Sequence, residues 1–220
     1  MKPSLTLWGY WRSSTSYRLR IALNLKGVDY NYVPVNLLER EHQGEAYHAV
    51  NPHGTVPLLD TGTHRITQSL TAIEWLDGTH PEPSFLPGEE GDALLCRDLY
   101  FAIASELHAP NNMPVLNYLR SDFGADQRAV EAWQERWIHK TFTPIEARLA
   151  AHAENRIDAG DLPFGAPSLF EIVLMPRLYN ARRWNTDLEP FPLIQRIEKT
   201  CQTLEAFQRA YPDQQPDATV

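Results

Sequence analysis

The sequence predicts two structural classes in one chain: an α/β N-terminal domain with the element order βαβαββα, and an all-α C-terminal domain. Three observations carry this. Short β-like runs alternate with helical ones up to about residue 76, and strand signals then fade into long helical periodicity. Between the two regimes lies Asp77 to Asp92, DGTHPEPSFLPGEEGD, with three prolines and three glycines and few apolar positions. The expected boundaries are 1–83 for the first domain, 84–91 for the linker and 92–220 for the helical domain.

The opening strand is expected over Leu5 to Trp8 and the first helix from about Ser14 to Lys26, stopped by Gly27 in the left-handed position. In that helix Leu19, Ala22 and Leu23 share one face, and Arg18 and Arg20 are expected to turn elsewhere. A strand from about Asp29 to Val35 and a short helix ending near Val50 complete the βαβα opening. Val56 to Thr67 reads as two short strands joined at Asp60 to Thr63, and Gln68 to Leu76 as a helix. Pro57 gives no ladder hydrogen bond and is expected at the start of its strand, where a cis Val56-Pro57 peptide would aim backbone groups outward.

Beyond the linker, helices are expected over Leu94 to about Leu119 and Gln127 to about Ala153. Ser168-Leu169-Phe170-Glu171 fits a capping box that opens a buried helix, with Pro176 expected to kink it. The last helix, from about Leu193, carries Ile194, Ile197, Cys201 and Leu204 on one stripe, which makes Cys201 a core residue; Cys96 reads the same way. The tail Gln214 to Val220 reads as solvent-exposed.

Composition excludes several functions. Lys+Arg 20 against Asp+Glu 28 leaves a net charge of −8, which repels phosphate backbones, so no nucleic acid is expected. Cys96 and Cys201 form no CxxC pair and the histidines no HExxH pattern, so no metal site is expected. MKPSLTLWGYWR turns aromatic and cationic after a very short apolar stretch, and no run approaches the roughly 20 apolar residues of a membrane span. The expectation is a soluble cytoplasmic protein.

The densest chemical signal is Trp11-Arg12-Ser13-Ser14-Thr15-Ser16-Tyr17-Arg18, four consecutive hydroxyls where a strand hands over to a helix. Two readings stand: an ordinary helix cap, and an anion site at a helix N-terminus reinforced by Arg12. For a thiolate, lowering a thiol pKa from about 8.5 to about 6.5 takes roughly 2.7 kcal/mol. A helix terminus contributes about 0.3 to 2 kcal/mol and a hydrogen bond to a charged acceptor about 1.5 to 3, so the two suffice without a general base. The junction itself has no cysteine, so the sulfur would arrive on a ligand. A second cluster, Gln68-Ser69, reads as a cap or, beside a Val56-Pro57 edge, as a site for a peptide-like ligand: Val56 backbone groups for an amide, Gln68, Ser69 and the helix N-terminus for a carboxylate.

The runs SSTSYRLRIALNLKGVDY, NPHGTVPLLD, QSLTAIEWL and NARRWNTDLEPFPLI together resemble the zeta class of glutathione transferases over nearly the whole chain. The serine-rich run is specific to the class; the VP and QS elements are shared by glutathione transferases at large. The resemblance implies a thioredoxin-like N-terminal domain within the glutathione transferase fold, a glutathione cofactor, a homodimer, and isomerisation of maleylacetoacetate or maleylpyruvate. It assigns Ser13, with Ser14 and Thr15 beside it, to activation of the glutathione thiolate. His42, Val56, Pro57, Gln68 and Ser69 become glutathione contacts, and His108, Asn111 and Asn112 fall on the segment that closes over the sulfur. Arg12 and Arg183 become the cations for a diacid's carboxylates, although Arg182-Arg183 also suits a helix end, where cations offset the dipole.

The implied mechanism is conjugate addition of the thiolate to the double bond, rotation about the resulting single bond, and expulsion of the thiolate. Three positions depart from the class: Thr15 where many members have cysteine, Glu171 for the aspartate of the capping box, and Met113-Pro114 after the paired asparagines. A transferase that conjugates or dehalogenates small electrophiles such as α-halo acids, and a non-catalytic binding protein of the same fold, are the alternatives.

Overall fold

A computed structural model describes residues 5–154 and 162–219 of the chain. Along Leu5–Gly9, Leu5, Leu7 and Gly9 are buried while Thr6 and Trp8 are half-buried, the period-two pattern that makes this segment strand β1. It is flanked in parallel by β2 (Tyr30–Pro34) and antiparallel by β3 (Leu58–Asp60), which pairs antiparallel with β4 (Arg65–Ile66). The resulting mixed sheet has the order β2-β1-β3-β4. A parallel neighbour requires a crossover, and α1 (Ser14–Leu25) supplies it, ending at Gly27 with φ +61°. With α2 (Glu45–His48) and α3 (Ser69–Thr79), the βαβαββα order expected from the sequence is complete.

The chain divides into two compact units: residues up to Ser84 together with those from Thr203 onward, and Phe85–Gln202. The division differs from the expected boundaries at both ends of the helical part. Phe85, inside the expected linker, is buried in the second unit, and its carbonyl accepts the Leu169 N–H at 2.9 Å. At the other end, α9 (Glu205–Ala210) packs on α1 through buried Phe207 and Ala210. The Asn24 amide donates to the Ala206 carbonyl at 3.0 Å.

This packing sharpens one expectation and corrects another. Arg18 and Arg20, expected to lie off the apolar face of α1, are themselves buried, at 3% and 0% exposure, because α1 is covered by α3 and α9. The tail is not uniformly exposed, since Gln215, Asp217 and Ala218 are half-buried; Val220 lies outside the described residues.

The second unit contains α4 (Glu90–Phe101), α5 (Met113–Phe123), α6 (Gln127–Glu154), α7 (Leu169–Arg183) and α8 (Pro192–Thr203). The single helix expected from Leu94 to Leu119 is broken. A π-type turn spans Ala102–Leu107, the His108 N–H reaches back to the Ile103 carbonyl at 3.2 Å, and a 3₁₀ turn covers Ala109–Asn111. Pro110 has no N–H to continue the ladder, and Asn112 restarts it by accepting the Met113 N–H. In contrast, α7 runs on through Pro176 to Arg183. Cys96 and Cys201 are buried and unpaired, as expected. Among the described residues no helix is long and apolar enough to cross a membrane.

The capping box of α7 is present. Ser168 N–H and Oγ–H both donate to Glu171 Oε2, at 2.7 and 2.6 Å, and the Ser168 hydroxyl accepts the Phe170 N–H. Glu171 is 0% exposed, and its Oε1 has no hydrogen-bond partner. Burial pushes its carboxyl up to about 7 against the opposing bonds from Ser168. The folded state therefore binds this proton more tightly than the unfolded state does. The stability it contributes is fully present below the unfolded pKa of about 4.5 and is lost as pH rises through about 7. We predict that Glu171→Gln, which keeps an acceptor for the cap, removes on the order of 3 kcal/mol of this pH dependence, measured as urea midpoints between about pH 5 and about pH 8.

Candidate active site

The strand-to-helix corner is built by close approach. A Cβ on Gly9 would lie 3.1 Å from the Tyr32 ring and 3.2 Å from Ser16 Oγ, so a side chain there would crowd the buried Ser16 as it reaches back. Ser16 Oγ then accepts the Tyr10 N–H at 3.3 Å. Ser13 is the N-cap of α1, its backbone extended and its hydroxyl oxygen accepting the Ser16 N–H at 3.3 Å. Thr15 donates its one hydroxyl hydrogen to the Val56 carbonyl at 2.9 Å, so in the 2.8 Å contact between the Ser13 and Thr15 hydroxyls Ser13 is the donor. The Ser14 hydroxyl, half-buried at the first position of the helix, has no partner among the described residues. Arg12 lies over the Trp11 ring at 5.2 Å to the centroid.

The Thr15 bond ties this corner to the loop before β3. The Val56-Pro57 peptide is cis. Val56 N–H has no acceptor among the described residues, whereas its carbonyl is engaged by Thr15. The loop is fixed from below: the Asn51 amide and the Tyr47 hydroxyl both donate to the Thr55 carbonyl, at 2.6 and 2.7 Å. Gln68 is the N-cap residue of α3, yet no side chain caps this 11-residue helix. Its first-turn N–H groups, beside Gln68 and buried Ser69, therefore remain available to an anion. His42 lies in a 3₁₀ turn (Glu41–Gln43), and its Nδ1 is buried without a partner. Burial, with His48 and Arg40 nearby, pushes its imidazole below the ordinary value, toward the neutral form.

The first unit thus brings Arg12, Ser13, Ser14 and Thr15 together with Val56 and Pro57. His42, Gln68 and Ser69 belong to the same unit, whereas His108, Asn111, Asn112 and Arg183 belong to the second. There Arg177, 4% exposed, donates from Nη2 to His108 Nδ1. Asn111 is buried, its amide donating to the Leu107 carbonyl at 2.9 Å while its Oδ1 has no partner. Asn112 serves as the cap of α5, and Arg183 is exposed in the last turn of α7. Its neighbour Arg182 is committed to Glu198 through two hydrogen bonds.

Sequence reasoning missed the residues that hold the site. Asn51 was legible only as the start of an Asn-Pro turn, and nothing local marks Arg177, Arg20 or Asp217 as partners of residues far away in the chain.

Residues 3–78 match the family model described as the N-terminal domain of glutathione S-transferase. The chain is 43% identical over 215 residues to a maleylpyruvate isomerase from a Ralstonia species, covering 97% of this chain and all of that protein. It is also similar to a solved structure described as a holo maleyl pyruvate isomerase, a bacterial glutathione transferase of the zeta class. There the TM-score is 0.92 and the identity 43%, over 97% of this chain and 100% of the other. A third likeness is to a maleylacetoacetate isomerase from Anaeromyxobacter dehalogenans with glutathione bound in its active site. Its TM-score is 0.85 and its identity 37%, over 98% of each chain.

The two neighbouring serines are expected to separate in stability measurements. Ser13→Ala removes the cap of α1 and the donor to Thr15 and should lower the unfolding free energy by about 1 kcal/mol. Ser14→Ala, which breaks no internal bond, should stay within about 0.5 kcal/mol of the unmodified chain in denaturant titration.

Proposed function

Because the chain belongs to the zeta class of glutathione transferases, we propose that it catalyses the glutathione-dependent cis–trans isomerisation of a maleyl diacid, maleylpyruvate or maleylacetoacetate, to its fumaryl isomer. The observation that carries the reading is the hydroxyl-rich N-terminus of α1 with a cation beside it that stacks on a ring. When bound, glutathione supplies a thiolate whose reversible addition to the double bond permits rotation.

The residues present suit such a ligand. The Val56 N–H offers a donor to a peptide carbonyl, and the uncapped N-terminus of α3 with Gln68 and Ser69 suits a carboxylate. His42, assigned to the ligand on the family resemblance, would contribute an imidazole that burial pushes toward its neutral form. At the corner, the Ser13 hydroxyl already sits on the positive end of α1 and parks its hydrogen on Thr15. A rotation about one bond redirects that hydrogen to an anion, while Thr15 keeps its own bond to Val56. Ser14 adds a second hydroxyl. Arg12 opposes the negative charge that develops on the diacid, an interaction stronger in the transition state than in the ground state. Arg183, His108, Asn111 and Asn112 keep their substrate-side assignments on the family resemblance.

Purified chain with glutathione should convert a maleyl keto acid, followed by its ultraviolet absorbance, and comparison of the pyruvate and acetoacetate tails identifies the preferred substrate. Ser13→Ala should lower kcat/KM by roughly 100-fold, as expected for loss of one donor to a developing anion. Unchanged absorbance with the unmodified chain would overturn the reading, and halide release from an α-halo acid would then favour the dehalogenating alternative.

A homodimer is part of the same proposal. Leu94 and Phe101 stand on one face of α4 at 58% and 46% exposure, an apolar stripe suited to a second copy. Replacing both by arginine should convert the dimer to monomer in sedimentation analysis. A cytoplasmic location fits the two buried, unpaired cysteines, which are at home in a reducing compartment.

A further inference from the structure

We propose that Asp217, in the C-terminal tail, is a positioning residue for the thiolate-binding corner, clamping the backbone of Trp11 from 206 residues away in the chain. The inference rests on the isomerase reading for its catalytic consequence, but the clamp itself is visible in the geometry. Asp217 Oδ2 accepts the Trp11 N–H at 3.0 Å and the Tyr32 hydroxyl at 3.2 Å. On its other side the Trp11 carbonyl accepts from Arg20 Nη2 at 2.9 Å, and Arg20 Nε donates to the Ala210 carbonyl at 3.1 Å. Both polar groups of the Trp11 backbone are thus held by charged side chains, one in the helix that follows and one in the tail.

The tail is built to deliver this carboxylate. Gln215 ties it down by donating to the Arg209 and Tyr211 carbonyls, both at 2.9 Å, and Tyr211 meets Tyr17 edge-on. Trp11 is the last residue before Arg12 and Ser13, and its ring carries the Arg12 guanidinium. Any play in the Trp11 peptide is therefore transmitted to the cation for the diacid and to the hydroxyl for the sulfur. Displacements of about 1 Å at such groups reduce rates by up to about 100-fold.

The test uses the full chain carrying Asp217→Ala or Asp217→Asn. Hydrogen exchange of the Trp11 amide should accelerate at least about tenfold in Asp217→Ala while that of Leu23, in the last turn of α1, stays unchanged. With glutathione bound, the midpoint of thiolate formation, read from ultraviolet absorbance, should rise by roughly one unit. The loss in isomerisation should fall mainly on kcat, by roughly tenfold or more. Asp217→Asn, which keeps an acceptor of the same shape, should recover most of each effect. It also carries the test if the alanine variant does not fold, with a smaller shift in the same direction. Wild-type exchange at Trp11 together with a wild-type thiolate midpoint in Asp217→Ala, or in Asp217→Asn where the alanine variant does not fold, would overturn the proposal. A faster-exchanging Trp11 with no thiolate signal even in the unmodified chain would instead uphold the clamp and overturn the isomerase reading on which its catalytic role rests.

Discussion

The first unit is organised around a buried cation. Arg20 has no access to solvent, and burial lowers its pKa against the pull of surrounding tyrosines and Asp217. Removing a guanidinium from water costs several kcal/mol, and that cost is offset only where oxygens are fixed around it. The oxygens come from the Trp11 and Ala210 carbonyls, and the Tyr17 ring lies 5.5 Å from the guanidinium. Helix α1, the strand-to-helix corner and α9 are consequently bound into one arrangement, since moving any of them strands a charge. This explains why the segment from Thr203 onward belongs with the sheet-containing unit.

That rigidity lets four consecutive hydroxyls take different tasks. Ser16 is fully buried and satisfies the Tyr10 N–H; Thr15 joins the corner to the Val56 loop; Ser13 satisfies the helix and keeps a hydrogen that can be redirected; Ser14 is uncommitted. A cap that satisfied every donor would leave nothing for a ligand, and an unsatisfied corner would not hold its shape. A threonine suits the third position of this run because its hydroxyl both donates to Val56 and accepts from Ser13.

Much of this was legible in the sequence, and the failures have a common cause. Period-two and 3.6-residue patterns located β1 and α1, and the spacing of Ser168 and Glu171 located the start of α7, because each is a local consequence of backbone geometry. The corner was recognisable because its hydroxyls adjoin one another in the chain. What could not be read were pairings between distant segments. The burial of Arg18 and Arg20 depends on α3 and α9, which lie far away in the chain, and the tail reads as solvent-exposed because Asp217 meets Trp11 only after folding. The break after Phe101 shows a subtler limit: helical periodicity persists through Ala102–Leu107, and it is Pro110, not a loss of pattern, that ends the ladder.

The same accounting of charge bears on specificity. A protein of net charge −8 that receives a thiolate and a diacid needs cations that its own carboxylates have not neutralised. Arg182 does not qualify, because Glu198 pairs with it through two hydrogen bonds, from Nε and Nη2, and neutralises its charge. Arg12 does: it is held by the face of Trp11, and no carboxylate pairs with it among the described residues. An aromatic ring fixes a guanidinium at a gain of about 0.5 to 1 kcal/mol without cancelling its charge. A carboxylate in that place would hold Arg12 more firmly but would cancel its charge, so the ring is the better anchor for the cation proposed to meet the diacid. Trp11 therefore serves the corner twice, through a backbone clamped by Arg20 and Asp217 and through a ring that keeps Arg12 oriented and unneutralised.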